Sequence, residues 1–122
     1  MKDKIVFDKL EASNRGWLFE AHLELNNTDS RGVETDAFNK AFSQPVELPI
    51  LAGHDVGRPI GNISGDGSGK FTGVIDAYVQ CRMALGIGFS HLKSRVENGK
   101  RILEEVKLFE VSIFPIEAGP QI

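Results

Sequence analysis

Residues 89–114 read FSHLKSRV–ENGK–RILEEVKLFEVSIF, and the four central residues Glu97-Asn98-Gly99-Lys100 decide the fold class. Asn-Gly suits a two-residue type I′ turn, in which both central residues take positive φ, so the flanking runs Phe89 to Val96 and Arg101 to Phe114 are expected to fold back on each other as a hairpin. In the second arm, period two puts Phe109, Val111 and Ile113 on one face and Glu110 and Ser112 on the other. A carboxylate is thus aimed away from the aliphatic set.

The same period extends toward the N-terminus. Trp17, Phe19, Ala21, Leu23 and Leu25 alternate with Leu18, Glu20, His22, Glu24 and Asn26, a strand with one apolar and one wetter face, on which Trp17 reads as core, with an interface anchor as the alternative. An earlier strand is read over Ile5 to Leu10. Asn27 to Gly32, rich in Asn, Asp, Ser and Gly, forms the loop that follows. Ala37, Phe38, Ala41 and Phe42 recur at helical spacing, with Thr35 or Asp36 as cap and Pro45 beyond, which predicts one short helix. Val46 to Leu51 carries Pro49 and so reads as an edge or bulged strand. Ile60 to Ile63 and Phe71 to Tyr78 form a second hairpin across the Gly- and Ser-rich residues 64–69, and Val79 to Met83 leaves room for a helical turn at most. Five to seven strands with one short helix predict a mainly β (α+β) chain, a small β-barrel occupying residues 1–122 as one domain.

Composition narrows the function. The chain has 122 residues, 41% of them hydrophobic, which suffices for a core without metal or disulfide staples. Fourteen Lys and Arg against seventeen Asp and Glu give a net charge of −3 with no basic run, so nucleic acid is not an expected partner. No apolar stretch approaches the length of a membrane span, and Met1 to Leu10 alternates charged and apolar residues, so neither a membrane nor a secretory signal is expected. The single Cys81 excludes an internal disulfide and reads as a small buried apolar residue. The three histidines lack metal-ligand spacing, so no metal and no cofactor are expected. His22 and His91 read as solvated strand residues. His54 follows the apolar run Leu48-Pro49-Ile50-Leu51-Ala52-Gly53, at a strand end where a side chain can project into a site.

Five fragments then occur in a telling order: Asp36-Ala37-Phe38, Leu48-Pro49-Ile50-Leu51-Ala52-Gly53-His54-Asp55, Pro59-Ile60-Gly61-Asn62-Ile63, Ala84-Leu85-Gly86-Ile87-Gly88-Phe89 and Leu108-Phe109-Glu110-Val111-Ser112-Ile113-Phe114-Pro115. Together, from about Ala37 to Pro120, they resemble the prohead protease family of tailed bacteriophages with HK97-type capsids. The resemblance implies a herpesvirus-protease-like barrel and a serine endopeptidase that cleaves scaffold and capsid protein in the immature head. The family histidine matches His54, and its acidic position matches Glu110. The family serine, in a Leu-Ser-Ile-Gly-Phe type motif, falls on Gly86, which has no side chain to attack with. Ser90 lies about 13 Å farther along a strand, too far to replace it. The helical segments usual around the family's barrel are also missing.

The resemblance with these losses implies a catalytically inactive barrel in the virion, a decoration or cement protein or else an internal assembly factor. It would bind the major capsid protein and itself as a dimer or trimer, in the virion and, during assembly, in the host cytoplasm. His54, Gly86 and Glu110 would be vestigial. The contact segments are expected at Met1 to Leu10 and Glu117 to Ile122, with Ile5, Phe7, Pro120 and Ile122 as anchors. Two other readings stand beside this one: an active prohead maturation protease, and an unrelated small β-barrel binding module.

Overall fold

The computed structural model describes residues 3–27, 35–77 and 79–114. Seven strands, β1 (Lys4–Ser13), β2 (Gly16–Glu24), β3 (Val46–Ala52), β4 (Asp55–Gly65), β5 (Phe71–Ile75), β6 (Arg82–Glu97) and β7 (Lys100–Phe114), are joined by one helix, α1 (Ala37–Phe42), between β2 and β3. They close into a mixed barrel in the order β1-β2-β5-β4-β3-β7-β6. Every contact between neighbours is antiparallel except β3 with β7, where Ile50, Leu51 and Ala52 run parallel to Val111, Ser112 and Ile113. Closure falls between β1 and β6: Lys4 to Val6 pair with Ala84 to Arg82, extended by Phe7 N–H to the Cys81 carbonyl at 2.7 Å and Leu85 N–H to the Asp3 carbonyl at 2.9 Å.

Alternation fills the barrel. Ile5 and Phe7, Phe19 and Ala21, Leu48 and Ile50, Ile63, Phe71 and Ile75, Leu85, Val111 and Ile113 all turn inward into one buried cluster. Phe7 and Phe19 meet edge to face with centroids 5.1 Å apart, and Phe42 of α1 packs on Phe71 at 5.8 Å. Burying a side chain of this size contributes about 1.5–3 kcal/mol, so a handful of these residues outweighs any surface interaction in the molecule. Ile5 and Phe7, expected to reach a partner, are corrected by this arrangement. Their exposures of 0% and 4% make them core, because closure against β6 turns their face inward. Pro120 and Ile122 lie outside the described residues.

β6 and β7 are long enough to leave the barrel. β6 pairs with β1 only through Ala84 and β7 pairs with β3 only over Val111–Ile113, so the rest of the hairpin continues as a two-stranded ribbon. Its tip is the expected Asn-Gly turn, with Asn98 at φ 53° and Gly99 at φ 75°. Helix α1 covers one face of the ribbon: Ala37 and Phe38 pack with Leu103 and Val106, and Phe38 stands edge to face on Phe89 at 5.0 Å. Of the two cap residues expected, Thr35 serves. Its Oγ1 accepts the Ala37 N–H at 3.2 Å and donates to the Leu103 carbonyl, whereas Asp36 makes no side-chain cap bond.

Several local expectations are corrected. Phe109 is half exposed, because the ladder shifts register between Gly88 and Phe89: Gly88 faces Glu110, Phe89 faces Leu108, and Phe109 is the extra residue. Cys81 is exposed, since it precedes β6 at the closure. Trp17 is 43% exposed at the start of β2. Pro49 sits in an interior strand of the barrel, tolerated because β3 pairs with β7 only from Ile50 onward and β3 is irregular against β4 after Ile50. β1 and β4 run longer than expected, β5 ends at Ile75, and residues 79–81 form no helical turn. Most of the loop expected over 27–32 lies outside the described residues.

Candidate functional site

Three strands and one turn build the site. Ala52 and Asp55 pair across the two-residue turn Gly53-His54, whose members take φ 59° and 63°. Glycine adopts this left-handed conformation freely, whereas histidine pays about 1 kcal/mol or more for it. The parallel pairing of Ala52 with Ile113 sets the turn beside Ser112, and the His54 N–H donates to Ser112 Oγ at 2.9 Å. This bond fixes the histidine where strain would otherwise release it.

On β7, Glu110 and Ser112 project from the barrel's outer face, two residues apart as the period-two reading expects. Glu110 Oε1 lies 2.6 Å from His54 Nδ1, and Ser112 Oγ donates to Glu110 Oε2 at 2.8 Å. Ser112 Oγ is also 3.2 Å from His54 Nδ1. A hydroxyl has one hydrogen. With that hydrogen committed to Glu110, Ser112 can only accept from the histidine, so Nδ1 carries a proton shared between Glu110 and Ser112. In the neutral ring, Nε2 then holds the lone pair.

Opposite these residues β6 presents glycines. Gly86 pairs with Ser112 and Gly88 with Glu110. A Cβ on Gly86 would lie 2.5 Å from His54 Nε2, and one on Gly88 would collide with the Glu110 carboxylate. Side-chain space above β6 is thus occupied by the imidazole and the carboxylate, reaching over from neighbouring elements. Phe114 closes one side, its ring centroid 5.8 Å from that of His54. The histidine side chain is 46% exposed and the glutamate 12%, so the pair is anchored below and open above.

His54, Gly86 and Glu110, about thirty and fifty-five residues apart along the chain, therefore converge on one spot. The arrangement can exchange a proton at Nε2 and hold positive charge on the ring against Glu110. It cannot form a serine acyl-enzyme at position 86. Ser112 does not replace the missing group: it is fully buried, faces Nδ1 and gives its proton to Glu110. Ser90 pairs with Lys107 beyond the register shift, and Cys81 precedes the other end of the β6–β1 contact. The Ser112 pin was missed as a functional residue in the sequence. Its signal was the i, i+2 spacing from Glu110, matched by Gly86 and Gly88 on the facing strand.

The remaining histidines behave differently. His22 Nδ1 meets both oxygens of exposed Asp8, at 2.8 and 3.1 Å, and its Nε2 lies 3.9 Å from Glu24. His91 is exposed beside the Phe89 ring, 6.2 Å between centroids. Among the described residues no group of three or more His, Cys, Asp or Glu is placed to hold a metal ion, and no helix is long and apolar enough to cross a membrane.

Fold and site together define a closed seven-stranded barrel with a His–Glu pair poised over a glycine. Comparison with protein-family models, with curated proteins and with solved structures finds no match for the chain.

Proposed function

We propose that this chain is a capsid-associated structural protein, a decoration or cement protein on a protease-like barrel, without peptidase activity. The observation that carries this reading is the position of His54 Nε2, 2.5 Å from where a Cβ on Gly86 would stand: the base and its acidic partner are in place, and the position they face has no nucleophile. The capsid connection comes from the resemblance of the five ordered fragments to prohead proteases. The mechanism is adhesive. With Ile5 and Phe7 committed to the core, the anchors for the major capsid protein are drawn from the exposed apolar side chains, which among the described residues include Leu10, Trp17 and Leu18 on β1 and β2, Val56 on β4, and Leu92, Val96 and Phe109 on the ribbon. Symmetric capsid sites favour a dimer or trimer of the chain itself.

The intact His54–Glu110 pair favours one second reading, a maturation protease that cleaves scaffold and capsid protein. Incubating the purified chain with its capsid protein separates the two. The structural reading predicts no cleavage, and specific cleavage abolished by His54→Ala would establish the protease.

A further inference from the structure

Hydrogen-bond accounting leaves one reactive atom at the site. The hydroxyl hydrogen of Ser112 is bound to Glu110 and the Nδ1 proton to Glu110 and Ser112, so among the described residues His54 Nε2 keeps an uncommitted lone pair on a half-exposed ring. In a serine hydrolase this atom takes a proton from the nucleophile. Here no side chain at position 86 can provide that proton. An imidazole in this state is itself a nucleophile, and a carboxylate at Nδ1 stabilises the cation that forms when it attacks.

We propose that His54 accepts acyl groups at Nε2 and turns over activated acyl compounds, such as aryl esters and thioesters. Nε2 attacks the acyl carbon, the C–N bond forms, and the alcoholate or thiolate departs with the bonding electrons. The Nδ1 proton passes to Glu110, 2.6 Å away, which neutralises the acyl-imidazolium. Water then adds to the acyl carbon and the C–N bond breaks. Glu110 returns its proton to Nδ1 as the bond electrons go back to Nε2, and the two water protons go to the departed group and, from the carboxylic acid product, to solvent. Amides are not substrates, because an amine must be protonated as it leaves and the described protons of the site, on Nδ1 and Ser112, are held on the other side of the ring by Glu110. The activity therefore coexists with the absence of proteolysis and does not depend on the capsid reading.

His22 is the internal control. It is equally exposed, at 45%, and also has a carboxylate on Nδ1, but Asp8 is itself half exposed and Glu24 stands near Nε2. His91 has no carboxylate partner among the described residues.

The test uses the full chain and p-nitrophenyl acetate. His54→Ala is expected to lower the protein-dependent release of p-nitrophenolate at least about tenfold, and His22→Ala to leave it unchanged. A rate that survives His54→Ala, or falls equally with His22→Ala, overturns the proposal. Diethylpyrocarbonate on the unsubstituted chain gives a reading that needs no variant: His54 is expected to be carbethoxylated ahead of His22 and His91, and a slower or equal reaction at His54 contradicts it. Neither result bears on the capsid role, which is read from particle composition.

Discussion

His54 Nε2 lies 2.5 Å from the point where a side chain on Gly86 would begin, so the imidazole occupies the room that a nucleophile's Cβ would need. The histidine is held by Glu110 at Nδ1 and by Ser112 through its backbone N–H.

Gly86→Ser therefore tests how much of a serine hydrolase remains. The atom it meets is the tip of a half-exposed ring, which must withdraw by roughly 1 Å to reach van der Waals distance. The fold is expected to survive with a loss of about 1–2 kcal/mol. Ester hydrolysis should rise above the unsubstituted rate with a burst from acyl-enzyme, and His54→Ala in the same background should remove the gain. Thermal unfolding and stopped-flow kinetics read the two effects.

Ser112→Ala removes the acceptor for the His54 N–H and the donor to Glu110 from a fully buried position. Leaving these groups unpaired costs about 1–3 kcal/mol. Denaturant unfolding should show that loss, and NMR should show the His54 ring signals broadened or shifted while the β1–β2 hairpin is unchanged.

Gly73 on β5 faces the barrel interior, where a Cβ would strike the Asn62 carbonyl of β4 and stand 2.8 Å from the Phe19 ring. Backbone cannot yield as the His54 ring can. Gly73→Ala is expected to cost about 3 kcal/mol or more, and circular dichroism should show a collapsed or absent transition.

Asp3 is the residue for which burial governs titration. Its half-buried carboxylate is pushed above the ordinary aspartate value, mainly by desolvation and against the Asn26 N–H it accepts at 2.8 Å. A raised folded-state pKa means that the folded chain holds its proton longer, so Asp3 lowers stability as pH rises from the unfolded value through the folded one. Asp3→Asn keeps an acceptor and removes the buried charge. Melting temperatures should rise slightly at neutral pH and stay unchanged well below pH 3.8.

The ribbon turn was legible because Asn98-Gly99 leaves few alternatives, and the barrel followed from alternation in β1, β2 and β7. His54, Gly86 and Glu110 were legible only through the ordered fragments, since nothing in their spacing announces that a left-handed turn will lay one over another. Phe109 was misplaced because a register shift changes which residue faces inward without leaving a mark in the pattern of apolar residues. Cys81 was assigned inward from residue type and Trp17 from the alternation of β2, and neither signal shows that Cys81 precedes a strand or that Trp17 stands at the open start of one. Ile5 and Phe7 were assigned to a partner because barrel closure depends on the distant strand β6, which a local reading does not pair with β1.

The measurement that bears most directly on the proposed role is the number of copies of this chain in purified mature particles, by quantitative mass spectrometry against the major capsid protein. A cement protein is retained in fixed proportion to the capsid subunits, and that is the result predicted. A particle that contains the capsid protein and none of this chain would contradict it.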